Sequence, residues 1–172
     1  MQVAEAIELI KDIPLERNTP ALWADLGCGT GIFTHAMAEL LPRQSTIFAI
    51  DKSRQSIKQP ANSGVTIAFI QANFEKEQLP VPALDGIMMA NALHYVSDQA
   101  SFIQQLHQYF AQEARFIIIE YDIRRATPWV PYPLDFQKLQ RLFSDAGFDT
   151  ITKLGERKSR YGQGNIYACY IE

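Results

Sequence analysis

The stretch that decides the fold lies close to the first residue and reads Ala21-Leu22-Trp23-Ala24-Asp25-Leu26-Gly27-Cys28-Gly29-Thr30-Gly31-Ile32-Phe33. Its first part is apolar, as in a buried strand, and its last part begins a helical pattern. Three glycines at alternate positions allow positive φ and leave the backbone of the turn open to a ligand. The free N–H groups at the start of the next helix face the same space. The stretch therefore predicts a strand, a glycine-rich turn and a helix that together bind the polar part of a nucleotide-like cofactor.

The spacing of the glycines narrows the class of protein. The turn is G-x-G-x-G after an acid, whereas the dinucleotide fingerprint is G-x-G-x-x-G. Asp-Leu-Gly-Cys-Gly-Thr-Gly resembles the first motif of the class I S-adenosylmethionine-dependent methyltransferases. The resemblance implies cofactor contacts from Asp25, Gly27, Cys28, Gly29 and Gly31. A tight strand–helix turn of another α/β protein stays open on this motif alone, so the rest of the chain has to decide.

Length and composition favour one globular domain. The chain has 172 residues, of which 47% are hydrophobic, and this is enough for a sizeable core. We expect a single domain over residues 1–172, with residues 1–20 as an N-terminal helix and lead-in and residues 21–172 as the core. That helix either covers the cofactor from the side, as in the resembled family, or simply covers one face of the sheet.

Charge and hydropathy exclude several partner classes. The net charge is −3, whereas a broad surface for nucleic acid or anionic membrane needs a basic excess. No segment has the apolar length of a membrane span, and the first residues lack a signal-peptide pattern. We read Cys28 and Cys169 as small packing residues and expect no metal site. A cytoplasmic location follows as the expectation.

An acid ends the second predicted strand. Residues 45–50 form a continuous apolar run of the kind found in parallel sheets, and Asp51 and Lys52 follow it. A carboxylate at this place, after the glycine turn, can accept both ribose hydroxyls of an adenosine. A helix cap is the alternative for Asp51. A short helix is predicted from Ser53 to about Gln59.

The third and fourth predicted strands end in polar and aromatic residues. Asn73 stands where the resembled family usually has an Asp that binds the adenine amino group, and its amide oxygen can accept the same hydrogen bond; a plain turn asparagine is the alternative. Phe74 can pack on the adenine ring. After the fourth strand, whose early Asp85 is read as structural, the resemblance implies cofactor contacts from Asn91, Ala92 and Leu93.

The order of the elements matches the resembled family. Five strand–helix units are followed by a helix over residues 134–146 and two final strands. The resemblance implies an α/β, doubly wound three-layer sandwich with a seven-stranded, mostly parallel sheet in the order 3-2-1-4-5-7-6, strand 7 antiparallel. All the selected residues lie at the carboxyl ends of strands, where an open parallel sheet binds its ligand.

The reaction that the resemblance implies is in-line displacement, in which an acceptor attacks the sulfonium methyl group and S-adenosylhomocysteine leaves. His94 is the first candidate base because it follows the fourth strand and imidazole can change charge near neutral pH; a packed or cofactor-contacting histidine is the alternative. Asp122 is the second candidate, with capping or pairing to Arg124 as the alternative.

The substrate is read as a small, partly apolar molecule. The regions that hold the acceptor in the resembled family are short in this chain. Aromatic side chains there offer a flat apolar surface to the body of the substrate, and arginines offer positive charge to a carboxylate or phosphate of the substrate. Alternatively, the arginines are solvated loop residues without a binding role. The expected substrate-binding residues are Tyr95, Arg124, Trp129, Tyr132 and Arg160, with Arg125 beside them.

Three rival functions stay open. A nicotinamide-dependent oxidoreductase shares the ribose acid but lacks the G-x-G-x-x-G spacing. A non-catalytic cofactor-binding or partner subunit of a methyltransferase complex fits the compact acceptor region. RNA or protein as the acceptor is the third possibility; the N-methylating members of the resembled family often have Asn/Asp-Pro-Pro-Tyr/Phe after strand four, where this chain has Asn91-Ala92-Leu93-His94. The oligomeric state is not predicted.

Overall fold

The structure, a computed structural model, describes residues 1–16, 18–159 and 164–172. The helices are α1 (Val3–Ile10), α2 (Ile32–Leu40), α3 (Gln99–Leu106) and α4 (Phe136–Asp145). The strands are β1 (Leu22–Leu26), β2 (Thr46–Asp51), β3 (Thr66–Gln71), β4 (Gly86–Ala90), β5 (Phe116–Tyr121), β6 (Ile151–Lys158) and β7 (Asn165–Ile171). The helices lie before β1, between β1 and β2, between β4 and β5 and after β5, and two final strands form a hairpin.

The strands form one seven-stranded sheet in the order β3-β2-β1-β4-β5-β7-β6. Strands β1 to β5 are parallel, and β7 runs antiparallel to both β5 and β6. The predicted fold class and strand order are therefore confirmed. The order in which successive strands are added to the sheet reverses between β1 and β4, so the loops after these two strands diverge and leave a crevice at the carboxyl edge of the sheet.

Both faces of the sheet are buried, and β5 illustrates the division. Phe116 and Ile118 belong to the apolar core on the α3 and α4 side. Ile117 and Ile119 belong to the core on the α1 and α2 side. Successive side chains of a strand point to opposite faces, so a continuous apolar run fills two cores at once.

The edge strand β3 has its outer backbone groups hydrogen-bonded by a side chain. Residues 53–60 contain no helix, so the helix predicted there is wrong, and the connection from β3 to β4 has none either. The Gln59 amide donates to the Ile67 carbonyl at 2.6 Å and accepts from the Ile67 N–H at 2.9 Å. Gln59 thereby pairs the exposed edge of β3 as a neighbouring strand would.

Two acids have structural roles, and that of Asp85 is the predicted one. Asp85 accepts the N–H of Leu22 at 2.7 Å and ties β4 to β1. Asp98 caps α3 by accepting the Ser101 N–H.

Helix α1 packs against α2 and against β6 and β7. A Cβ on Gly155 would lie 2.7 Å from the Leu9 carbonyl oxygen, so β6 approaches α1 at backbone contact. Within the described residues, no helix is long and apolar enough to cross a bilayer.

Candidate functional site

The glycine turn joins β1 to α2 at the carboxyl edge of the sheet. Gly27, Gly29 and Gly31 all have positive φ, at 78°, 51° and 84°. A Cβ on Gly27 would lie 2.7 Å from the Cβ of Ala92, so this glycine lets the turn approach the loop after β4. A Cβ on Gly29 would meet nothing within 4 Å. Gly29 therefore faces open space, and that is where a ligand can approach the backbone.

Asp25 is buried beneath this turn. Its side chain is 1% exposed, and Thr34 donates to its Oδ2 at 2.6 Å. Its Oδ1 is buried and has no partner among the described residues. Burial, with a smaller contribution from the charge of Asp51, raises the pKa of Asp25 to about 7. Burial also raises the pKa of the neighbouring Cys28 thiol, which favours a packing role.

Asp51 links the second strand to the glycine turn. Its Oδ2 accepts the N–H of Gly29 at 2.9 Å, and its Oδ1 accepts the N–H of Ser53 at 2.8 Å. Each carboxylate oxygen has a second acceptor position, so both remain able to bind hydroxyls. The acid thus holds the turn in shape and faces the same crevice.

The loop after β3 carries the residues predicted to contact adenine. The Asn73 Oδ1 accepts the N–H of Glu75 at 3.1 Å, as in an Asx turn. This is the turn role that the sequence left open, and adenine contact through the second lone pair stays a prediction. The Phe74 ring packs on Phe102, with ring centroids 5.7 Å apart.

Three adjoining cavities follow the carboxyl edge and share lining residues. The glycine cavity, of about 270 Å³, is lined among others by Gly27, Gly29, Thr30, Asn91, Tyr121 and Ser159. The acidic cavity, of about 350 Å³, is lined by Gly27, Asp51, Lys52, Asn73, Phe74, Glu75, Asn91, Ala92 and Tyr95. The aromatic cavity, of about 970 Å³, is lined by Asn91, His94, Tyr95, Tyr121, Ile123, Arg124, Arg125, Thr127, Trp129, Val130 and Ser159.

Asn91 lines all three cavities. Its φ of 52° is in the left-handed region, which side chains rarely adopt. Its Oδ1 is buried without a hydrogen-bond partner among the described residues. A buried acceptor without a partner costs free energy and is typical of a functional site. Asn91 therefore marks the point where the cavities meet.

His94 lies at the floor of the aromatic cavity, 2% exposed. Its Nδ1 is 2.6 Å from Oε2 of Glu120, and its backbone N–H donates to Oε1 of the same carboxylate at 3.1 Å. Glu120 is fully buried on β5. One oxygen of Glu120 thus binds the backbone of His94, and the other contacts its ring.

Asp122 and Arg124 have structural partners. The Asp122 Oδ1 accepts the N–H of Phe136 at 3.1 Å, at the start of α4. This agrees with the capping alternative, and Asp122 is absent from the linings of the three cavities. Arg124 pairs with Asp135 at 3.1 Å instead of with Asp122, although its side chain is 73% exposed and lines the aromatic cavity.

Of the other predicted site residues, some line the aromatic cavity and the rest lie elsewhere. Tyr95 and Trp129 line the aromatic cavity and are 52% and 80% exposed. Tyr132 is exposed but is absent from the linings of the three cavities; its N–H donates to the His94 carbonyl. Leu93 is in the core, and Gly31 packs against Ile57. Arg160 lies outside the described residues.

Sequence reasoning missed Glu120 and part of the lining from α1 and β6. Met1, Arg157 and Ser159 line the glycine cavity, and Arg157 pairs with Glu5 at 2.8 Å. The position of Met1 supports the idea that the N-terminal helix covers the site, and α1 also covers the sheet. The signal for Glu120 was present: it is one acid within an otherwise apolar strand, where a buried charge requires a partner.

The residues present fit a cationic nucleoside cofactor. The crevice offers the carboxylate of Asp51 and the unpaired acceptor of Asn91. A sulfonium and an ammonium group would interact favourably with such acceptors. The open side of Gly29 and the start of α2 leave backbone N–H groups for a carboxylate.

A family model described as "Methyltransferase domain" matches residues 23–144, which is more than half of the chain. The chain belongs to this family. The expectation from the glycine turn is confirmed.

Similar proteins agree on the fold. The 1,6-didemethyltoxoflavin N1-methyltransferase of Burkholderia thailandensis superimposes with a TM-score of 0.69 at 17% identity, over 99% of this chain and 77% of that one. An S-adenosylmethionine-dependent methyltransferase of Aquifex aeolicus gives 0.65 at 16%, over 99% and 98%. Trans-aconitate 2-methyltransferase of Pseudomonas paraeruginosa is 28% identical over 100 residues, 58% of this chain and 35% of that protein. The chain thus spans about a third of the length of this curated relative.

Proposed function

We propose that this chain transfers the methyl group of S-adenosylmethionine to a small, partly apolar acceptor. The observation that carries the proposal is the meeting of three cavities at Asn91. The glycine and acidic cavities together offer space for a nucleoside and an amino acid, and the aromatic cavity is separate and larger. One crevice can therefore hold a donor and an acceptor on either side of one residue.

Different residues would bind different parts of the cofactor. Asp51 would accept the ribose hydroxyls, Phe74 would pack on adenine, and the backbone around Gly29 would receive the amino-acid part. When bound, S-adenosylmethionine supplies an electrophilic methyl carbon that needs little chemical activation. The main contribution of the protein is then alignment of donor and acceptor, with exclusion of water.

The names of the relatives support the class of substrate. The proteins from Burkholderia thailandensis and Pseudomonas paraeruginosa are named for small-molecule acceptors. We propose a small acceptor here too, with no nucleic acid, and an unanchored protein of the cytoplasm. Tyr95 and Trp129 would contact its apolar body and Arg124 or Arg125 an anionic group.

The test is a calorimetric titration with S-adenosylhomocysteine of the wild type and two matched variants. Gly29 and Gly147 both have positive φ, and a Cβ on either meets nothing within 4 Å. Asparagine tolerates the left-handed region near the φ of Gly29, and the φ of Gly147 lies beyond that region, so Gly147→Asn imposes at least as much backbone strain as Gly29→Asn. Only Gly29→Asn places a side chain over the glycine cavity.

We expect micromolar binding by the wild type and by Gly147→Asn, and at least a tenfold loss for Gly29→Asn. Equal affinity in both variants would refute the binding role of the turn. No binding by the wild type would refute the proposed function and favour a partner subunit.

A further inference from the structure

We propose that a cavity at the amino edge of the sheet binds a small zwitterion, with a carboxylate and an ammonium group on an apolar frame. This amino-edge cavity, of about 300 Å³, is lined among others by Glu16, Trp23, Asp85, Arg115 and Tyr170. Its lining shares no residue with the three cavities at the carboxyl edge. The proposed ligand is therefore additional to the donor and the acceptor of methyl transfer.

The cation of this cavity is Arg115, which directly precedes β5. The residue is half-buried, and it belongs to none of the ion pairs among the described residues. Its Nε is buried and has no hydrogen-bond partner in that part of the chain. The nearby Glu172 accepts the O–H of Tyr170 at 2.7 Å and is not its partner.

The missing partner of Arg115 points to an anionic group of a ligand. A partly buried cation without a counter-charge costs free energy, because neither water nor a carboxylate fully compensates it. Arginine binds carboxylates with strong, charge-assisted hydrogen bonds. A ligand carboxylate in the amino-edge cavity would therefore offset the cost of keeping Arg115 unpaired.

Two acids bring negative charge to the same lining. Asp85 accepts the Leu22 N–H at 2.7 Å through Oδ2, which leaves Oδ1 for a ligand. The exposed Glu16 accepts the Thr19 hydroxyl at 3.3 Å through one of its two oxygens. An ammonium group has three donors and no acceptor, so it suits these carboxylates. A ligand with a carboxylate alone would meet two acids and one cation and would be bound less well.

The rest of the lining is largely apolar. The Trp23 side chain is 2% exposed, and its ring packs over Gly86, where a Cβ would lie 2.4 Å from the ring. Leu15 and the buried Leu41 also line the cavity. An apolar wall with a few polar groups is typical of a small-molecule site, and the volume is at the low end of the usual range of about 300–1,000 Å³. The cavity thus suits a ligand of the size of an amino acid.

The first test uses the two tryptophans of the chain, which line different cavities. Trp23 lines the amino-edge cavity and Trp129 the aromatic cavity. The indole N–H peaks in ¹H–¹⁵N spectra of the full protein therefore report on both sites at once, and Trp129→Phe assigns them. The probes are L-leucine, 4-methylpentanoate, which lacks the ammonium group, and 3-methylbutylamine, which lacks the carboxylate.

We expect L-leucine to shift the Trp23 peak saturably and to leave the Trp129 peak in place. Each of the other two probes should bind at least tenfold more weakly, because it leaves one kind of charge in the cavity unpaired. No saturable shift of the Trp23 peak, or a shift of the Trp129 peak alone, overturns the site. If either singly charged probe binds as tightly as L-leucine, the zwitterion assignment is overturned.

The second test removes each charge separately. Arg115→Gln should weaken L-leucine at least tenfold, since a charge-assisted bond is lost, whereas Arg141→Gln changes an exposed arginine on α4 and should bind as the wild type. Asp85→Asn keeps an oxygen for the Leu22 N–H and should weaken L-leucine but not 4-methylpentanoate. Unchanged affinity for L-leucine in Arg115→Gln or in Asp85→Asn overturns the contact assigned to that residue.

The probe series on the wild type decides the proposal even if a variant does not fold. The titration needs neither cofactor nor methyl transfer, so its result is independent of the proposed function.

Discussion

At the scale of single residues, the carboxylates of the crevice have two different tasks. Asp51 accepts two backbone N–H groups and shapes the surface that a ribose would contact. Asp25 is buried and faces Thr34, away from solvent. The sequence predicted that both acids contact the cofactor. In the structure Asp51 lines the crevice, whereas Asp25 is buried beneath the glycine turn.

Asp51→Ala should weaken S-adenosylhomocysteine by roughly 1–3 kcal/mol, because bonds to a charged acceptor are at the strong end of the range. The variant should also melt at a lower temperature, since the Gly29 N–H loses its acceptor. Calorimetry and thermal unfolding measure the two effects. Asp149→Ala removes an exposed acid and should change neither. Full affinity in Asp51→Ala would contradict the position assigned to the ribose.

Asp25 should make the stability of the protein depend on pH. Burial raises its pKa from 3.8 to about 7, so the folded state holds a proton that the unfolded state has released. The stabilisation that protonated Asp25 contributes should be fully present below about pH 4. It should be lost as the pH rises from about 4 to above 7, so stability should fall over that range. In Asp25→Asn the fall in melting temperature between pH 5 and pH 8 should be smaller. Asp149→Asn should keep the wild-type slope; an equal slope in Asp25→Asn would contradict the burial argument.

At the scale of elements, β3 depends on a side chain for its outer edge. Gln59→Ala removes both hydrogen bonds to Ile67 and should lower the free energy of unfolding by about 1–2 kcal/mol. Denaturant unfolding measures it, and the neighbouring, exposed Lys58→Ala is the control. If the two variants were equally stable, Gln59 would not hold the edge.

Strand β3 and the segment before it show which features of the fold the sequence could predict and which it could not. Apolar runs predicted all seven strands because that pattern is local, and the family resemblance implied their order. The segment from Ser53 to Gln59 was predicted as a helix but contains none, and the partner of Gln59 lies on β3, where no local pattern indicates it. Glu120 was missed for the same reason: its partner His94 is on another strand's loop.

At the scale of the whole molecule, the residue before α1 and the end of β6 contribute to the lining of the glycine cavity. Met1 and Arg157 line that cavity, and Arg157 pairs with Glu5. A ligand seated there would contact segments from both ends of the chain. Binding only to the folded state stabilises by about 2.7 kcal/mol at a hundredfold excess over Kd, so S-adenosylhomocysteine should raise the melting temperature by several degrees. An unchanged melting temperature at saturating ligand would contradict a site that joins the two ends.

The most direct test of the central claim is hydrogen exchange with and without S-adenosylhomocysteine, with NADH in a parallel sample. The account predicts slower exchange in the loops after β1, β2, β3 and β4, at residues 27–31, 51–53, 73–75 and 91–95, and no change with NADH. These loops are distant in sequence and adjoin only at the carboxyl edge of the sheet. Protection confined to other regions, or equal protection by NADH, would contradict the account.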